Sequence, residues 1–430
     1  MTDAPRIQLL LTGDELMSGD TVDSNSALIA RELASQGLRP LRRVTLGDDA
    51  LALQAEIATL CDNADALIIN GGLGPTVDDL TAEVLARVAG LRLVEHPQAL
   101  DHLEHWCARR GLTLNAANRK QARLPEGCEL LPNPIGSAVG FTVEHNNCLV
   151  LCTPGVPGEL RAMLPHLIER LGERFPHRSQ SDVLRLQTFG VGESTAQQMI
   201  SDHCPDWPDS VGLSFRAGAP QLEIKLVIDD PALEPQRQAC LDTLQHLLGA
   251  HILGRDDTRL AERVIDLARD QGITVTSAES CTGGLIAQML TQIPGSSDVF
   301  PGAFVTYSNA LKHSVLGVTT DTLDSVGAVS EETVRQMVQG ALKASGATLG
   351  VAVSGVAGPG GGSDSKPVGT VWLAWGDLQR IDTLCLHWPL ERTLFQTMVA
   401  AAALDCLRRR LLGIEEIAHY LRQRRVPKDA

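Results

Sequence analysis

The chain has 430 residues and a mass of 46.0 kDa, a length that exceeds one ordinary domain and predicts two or three. Lys plus Arg number 37 against 52 Asp plus Glu, and the resulting net charge of −15 argues against a general nucleic-acid coat, whose affinity rests on cations meeting phosphates. Apolar residues at 43% and charged ones at 21% support packed cores, the 3% of aromatics leaves Leu, Val, Ile and Ala to fill them, and no run approaches the roughly 20 apolar residues of a membrane-crossing helix.

Taken in chain order, residues 1–175 alternate apolar runs with helical stretches. RIQLLLTG (6–13) reads as a buried strand, SALIARELASQG (26–37) as an amphipathic helix stopped by Gly37, and ADALIING (64–71) as a second strand entering the glycine-rich GGLGPT. DLTAEVLARVAG (79–90) follows as a helix and NCLVLCTPG (147–155) as another strand with its loop. Strand, polar loop and helix in repetition predict a parallel α/β domain with ligands at the carboxyl ends of the strands.

Residues 180–255 change character: LRLQTFG (184–190) and APQLEIKLVID (219–229) alternate as strands among two helical stretches, giving a small α+β module. PHRSQSD (176–182) and GRDDTRLAE (254–262) read as polar linkers on either side. Residues 258–425 form a third segment, with strands predicted in 272–280, 304–309, 347–355 and 369–375 and helices in 260–272, 331–346 and the long apolar stretch from Phe395. The basic tail from Arg422 reads as frayed. The opening residues carry too short an apolar run for a signal peptide, and the ten cysteines contain no C-x-x-C pair, so a cytoplasmic protein with thiols in its core is expected.

Two acidic loops stand at strand ends in the first segment. One carries Asp14, Glu15, Asp20 and Asp23; the other joins Gly71, Gly72, Gly74 and Thr76 to Asp78 and Asp79. Glycines there admit a close backbone approach to phosphate, and carboxylates beside a phosphate call for a bridging cation such as Mg²⁺. The alternative is a plain helix cap at Thr76, Asp78 and Asp79. Arg119, Lys120 and Arg123 form a basic stretch that could face the same pocket or solvent.

In the third segment, SAESCTGG sets Ser280 and Cys281 at a strand-to-helix junction, where free N–H groups can stabilise an oxyanion or the serine can cap the helix. Cys281 competes as a thiol nucleophile, with His313 thirty-two residues on. Lys312, in TYSNALKH with Tyr307, suits a base if burial lowers its pKa, or else a surface lysine. GVAGPGGG (355–362) offers a phosphate cradle or a flexible turn, and Arg392 a bidentate phosphate contact.

These blocks, together with NRKQARLPEG, LPNPIG, TPGVPGEL, TFGVGES and KPVGTVW, resemble the competence/damage-inducible protein CinA family over nearly the whole chain. The resemblance implies a molybdopterin-binding-like parallel-sheet domain over 1–175, a KH-like linker module over 180–255 and a nicotinamide mononucleotide deamidase domain over 258–425. It implies a Ser280–Lys312 dyad with Tyr307, making nicotinate mononucleotide and ammonia without a cofactor. Substrate contacts are implied at Thr282, Gly283, Asn309, Ser354, Gly355, Gly358, Gly360 and Arg392. For the first domain it implies cleavage of ADP-ribose with a divalent metal, candidate ligands Asp14, Asp78 and Asp79, and contacts from Gly71, Gly72, Gly74 and Thr76. A homodimer without direct nucleic-acid contact is expected; the module has no G-x-x-G, so RNA binding is not inferred. The alternatives are a pterin-binding or adenylating first domain and a non-catalytic scaffold. The sequence departs from the family in GDELM near the start and in Leu-Glu-Arg ending at Arg392.

Overall fold

The structure is a computed structural model that describes residues 5–176 and 182–426. It divides into two compact units, residues up to Asp182 with Asp229–Pro231, and Val183–Ile228 with Ala232 onward. Nearly all of the expected linker 176–182 lies outside the described residues.

The first unit carries strands β1 (Ile7–Thr12), β2 (Pro40–Leu46), β3 (Ala66–Asn70), the hairpin β4 (Leu93–Glu95) with β5 (Arg123–Pro125), β6 (Glu129–Leu131), β7 (Gly140–His145) and β8 (Cys148–Thr153). Its main sheet runs β2-β1-β3-β8-β7-β6. The first four strands are mutually parallel, and β7 and β6 are antiparallel. Every residue of β1, β3 and β8 is buried, because apolar cores lie on both faces of the sheet. These were the strands the apolar runs predicted. β2 was missed: PLRRVTL is an outer strand with Leu41, Arg42 and Arg43 exposed, so it lacks the apolar signature. In the order 2-1-3, β1 and β3 send their connections to opposite sides, which opens a crevice at their carboxyl ends. The two acidic loops lie there.

In the second unit, β9 (Asp182–Thr188), β10 (Gly212–Ala217), β11 (Leu222–Ile228) and β12 (Ile252–Arg255) form a sheet in the order β10-β11-β9-β12. A larger sheet runs β14-β13-β15-β16-β17, from β13 (Val275–Glu279), β14 (Gly302–Val305), β15 (Leu349–Gly355), β16 (Thr370–Gly376) and β17 (Ile381–His387). The first three of these are parallel, and the last two run antiparallel. Since β13 lies between β14 and β15, this sheet too has a switch point, and the loops following all three strands meet at it.

The small module is joined to the larger sheet by packed core rather than a tether. Phe189 and Leu253 share an apolar cluster with the helix Arg392–Leu411, whose Ala400–Ala403 stretch is fully buried. On that helix the buried Asp405 accepts from Arg408 and Arg409, and Arg408 donates to the carbonyl of Ala250 at 2.5 Å. The expected linker 254–262 is therefore corrected: Gly254 and Arg255 close β12, and Leu260 opens a helix to Asp270. The tail is corrected in part. Arg425 bridges Leu386, Val426 donates to the carbonyl of Cys385, and residues 427–430 lie outside the described residues. All ten cysteines are free and nine are buried, as their apolar settings predicted. No helix of the described residues is long and apolar enough to cross a membrane.

Candidate functional site

In the second unit, β13 ends at Glu279 and delivers Ser280 to the switch point. β14 ends at Val305, and the chain turns through Thr306 and Tyr307 into the helix Asn309–Leu316, capped by the Ser308 hydroxyl. That turn brings Lys312 back toward Ser280. Its Nζ lies 2.9 Å from Ser280 Oγ, 2.9 Å from the carbonyl oxygen of Thr306 and 3.2 Å from that of Tyr307. Lys312 is 1% exposed and Ser280 8%. Burial holds the Lys312 ammonium below the ordinary lysine pKa, opposed only by the nearby Cys281 thiol, and among the described residues no carboxylate pairs with it. With its two N–H groups on the two carbonyls, a neutral amine turns its lone pair to the serine hydroxyl.

Glu279, which the sequence reading passed over, organises the loop that follows. Its buried carboxylate accepts from Thr282 Oγ1 at 2.7 Å, from the N–H groups of Gly284, Ile286 and Ala287 at 2.9–3.1 Å, and from Ser277 Oγ at 3.3 Å. Ser280 N–H donates to Val353, Gly283 N–H to Ser280 and Leu285 N–H to Thr282. Across 280–287, among the described residues, the N–H of Thr282 has no acceptor and that of Cys281 meets only its own thiol. The signal available in sequence was one acid ending an apolar strand beside a glycine turn. Ser280 itself is not the helix cap: Gly284 holds that position.

Cys281 is buried, and burial pushes its thiol up to about 12, so it stays protonated at neutral pH. His313 is no partner for it, since its Nδ1 faces the carbonyl of Val318 at 2.8 Å. Tyr307 is 60% exposed, and its ring hydroxyl accepts from Arg392 Nη2 at 3.2 Å; its main-chain carbonyl is what meets Lys312. Arg392 also donates from Nη1 to the carbonyl of Gly358 at 2.7 Å, tying the glycine loop to the helix start. A Cβ at Gly355 would stand 2.7 Å from the carbonyl oxygen of Thr370, and one at Gly358 2.6 Å from Val368. Gly355 therefore serves close packing against β16, and Gly358 close packing within the loop itself. Gly360 alone of the predicted trio faces open space. Ser354 is buried with its hydroxyl on the carbonyl of Ala328, and Asn309 is exposed.

In the first unit, the crevice at β1 and β3 is a cleft of about 510 Å³ lined by Gly71–Thr76 and by Glu15, Asp48, Asp78, Asp79 and Glu159. No Lys, Arg or His lines it. The glycines again pack tightly, a Cβ at Gly71 falling 2.5 Å from the carbonyl of Thr12 and one at Gly74 2.5 Å from Asp79. Asp79 accepts from the N–H and hydroxyl of Thr76, which closes the loop on itself; the helix Thr81–Ala89 that follows has Leu80 at its N-cap and no side-chain cap, so the plain helix cap is not formed. Asp14 accepts from Asp48 N–H at 3.0 Å and does not line the cleft. Burial first, and then the charges of Asp14, Glu15 and Asp78, raise the Asp48 carboxyl above its usual range. Of the basic stretch, Arg119 pairs with Glu95, while Lys120 grips the cleft's glycine loop from behind through the carbonyls of Thr76 and Asp79. Arg123 lines a smaller neighbouring cavity. Among the described residues no three His, Cys, Asp or Glu side chains converge as a ready metal cage.

Residues 257–411 match the CinA C-terminal domain, and residues 8–173 match the probable molybdopterin binding domain. The chain is 48% identical over 425 residues to a CinA-like protein of Colwellia psychrerythraea, covering 98% of both chains. A CinA-like protein of Geobacter metallireducens is 40% identical over 413 residues, covering 94% of this chain and 99% of its own. The crystal structure of competence/damage inducible protein CihA from Agrobacterium tumefaciens is 47% identical over 34% of this chain and 91% of its own, with a TM-score of 0.34. With full-length relatives at this identity, and both domains in this order, the chain belongs to the CinA-like protein family.

Proposed function

We propose that the second unit hydrolyses the carboxamide of nicotinamide mononucleotide, giving nicotinate mononucleotide and ammonia. The observation that supports this most is the buried Lys312 amine 2.9 Å from Ser280 Oγ. The neutral amine takes the serine proton as Oγ adds to the carboxamide carbon, and the amides of Cys281 and Thr282 are available to the oxyanion. The Lys312 ammonium then returns the proton to the leaving nitrogen. Ammonia departs with the C–N bond, leaving an acyl-serine ester. Water, deprotonated by Lys312, adds to that ester, and the ammonium reprotonates Oγ as the acid leaves. Arg392 and the loop around Gly360 are the groups proposed for the substrate phosphate. Ammonia release by the wild type, lost in Ser280→Ala, tests this reading.

For the first unit we propose metal-dependent cleavage of ADP-ribose. Among the described residues five carboxylates and no cation line the cleft, and burial first, then the charges of Asp14, Glu15 and Asp78, raise the Asp48 carboxyl. A pyrophosphate entering alone would be repelled. A hard cation held by one or two of these carboxylates and by the substrate's own phosphates suits this donor set, as Mg²⁺ is commonly held. Asp78 and Asp79 are the proposed carboxylates, Asp14 acting through its hold on Asp48. When bound, the cation would supply charge neutralisation to the phosphates. ADP-ribose cleavage that continues in excess chelator would overturn the metal requirement.

A further inference from the structure

Gln396 lies one helical turn beyond Arg392 on the same face of the helix Arg392–Leu411. Its Nε2 donates to the main-chain carbonyl of Cys281 at 2.8 Å, across 115 residues of sequence. Only the amide nitrogen of a glutamine can donate to a carbonyl, so the side chain's orientation is fixed by that contact. The carbonyl of Cys281 and the N–H of Thr282 belong to one planar peptide. Holding the first therefore sets the direction of the second. Thr282 N–H has no acceptor among the described residues, and Glu279 fixes the amides of Gly284, Ile286 and Ala287 beyond it. The remaining edge of this peptide would be free to rotate without a partner on its carbonyl.

We infer that Gln396 is a positioning residue for the oxyanion site of the deamidase reaction, a role that rests on the deamidase reading above. It touches neither the serine nor the lysine. It acts by aiming the 281–282 peptide, so that a developing oxyanion meets a donor already oriented. Such an effect belongs to the transition state and leaves ground-state substrate binding nearly unchanged. Its position on the same helix as Arg392 means that one rigid element both ties the glycine loop and sets the oxyanion donor.

The test compares steady-state ammonia release from nicotinamide mononucleotide by the wild type, Ser280→Ala, Gln396→Leu and Gln396→Glu, each checked for an unchanged thermal midpoint. Gln396→Leu is expected to lose about 10- to 100-fold in kcat with KM within about twofold. Gln396→Glu sets a carboxylate against the carbonyl at neutral pH and regains a donor when protonated. Its activity relative to the wild type is therefore expected to climb as pH falls from about 8 to about 5.5. A Gln396→Leu enzyme with wild-type kcat, beside an active wild type and an inactive Ser280→Ala, overturns this inference alone. So does a loss carried wholly by KM, or a Gln396→Glu ratio that is flat with pH. No release by the wild type overturns the deamidase reading and this inference with it. If Gln396→Leu does not fold, the pH ratio of Gln396→Glu decides.

Discussion

Lys312 is held without a counter-charge, and that is what makes it chemically useful. An ammonium in this position would be stabilised by a carboxylate; here the partners are two carbonyls and a hydroxyl, and burial lowers its pKa. Because the folded-state pKa lies below the ordinary 10.5, the neutral base gains population as pH rises through that lowered value. The kcat/KM profile for nicotinamide mononucleotide is therefore expected to rise with pH on a limb whose midpoint falls below 10.5, and a limb at an unshifted lysine value would contradict the assignment. Lys312→Arg keeps the charge but cannot give up its proton, so a loss of at least about 100-fold in kcat is expected from it. Cys281→Ala removes a thiol that stays protonated, its pKa pushed up to about 12, so it should retain activity within a few-fold of the wild type. Complete inactivity of that variant would return the nucleophile's role to sulfur.

At the scale of single elements, each site is a set of strand ends, and the loops would have no fixed shape without side chains that tie them down. Glu279 is the clearest case. Its carboxylate takes four donors from the loop and the start of the helix Leu285–Thr291, and a fifth from Ser277 on its own strand. Glu279→Gln turns an amide N–H toward some of those donors, and a loss of about 1–3 kcal/mol is expected in denaturant unfolding of this unit. An unchanged midpoint would show that the loop is held by other means. The buried ion cluster of Asp405, Arg408 and Arg409 acts likewise between the small module and the large sheet. Asp405→Ala leaves two guanidinium groups buried and unpaired, with an expected loss of about 3–5 kcal/mol.

The elements that were legible in sequence were those with one unambiguous pattern. β1, β3 and β8 are apolar throughout, and helix Glu331–Ser345 has both its apolar period and a capping serine at Ser330. β2 escaped notice because its middle carries two arginines, and β17 because Ile381 to His387 mixes Asp382, Thr383 and His387 with apolar residues in an outer strand. Ser280 and Lys312 could be named from motifs, but the 2.9 Å between them is set by β13 and β14 lying side by side, a pairing that local pattern does not encode. Gln396 left no local signal for the same reason, since its partner comes from backbone geometry, and Glu279 left only that of an acid ending an apolar strand beside a glycine turn. The basic stretch 119–123, left open in sequence between the pocket and solvent, divides: Arg119 is engaged by Glu95, and Lys120 by two carbonyls of the cleft's own loop.

For the molecule as a whole, the net charge of −15 takes on a local meaning in the first unit, where the candidate cleft is itself acidic. Divalent cation is expected to support ADP-ribose cleavage and excess chelator to abolish it; Asp78→Asn should raise the cation concentration needed by about tenfold or more. The two proposed reactions share no step, so chelation should leave ammonia release by the second unit unchanged. A parallel loss of both activities on chelation would show that the metal acts beyond the first unit. The most direct single measurement is ammonia release from nicotinamide mononucleotide by the full-length wild type, Ser280→Ala and Lys312→Ala. Release by the wild type with a loss of at least about 1,000-fold in both variants is the predicted result. Wild-type release by either variant, or none by the wild type itself, would contradict the Ser280–Lys312 dyad.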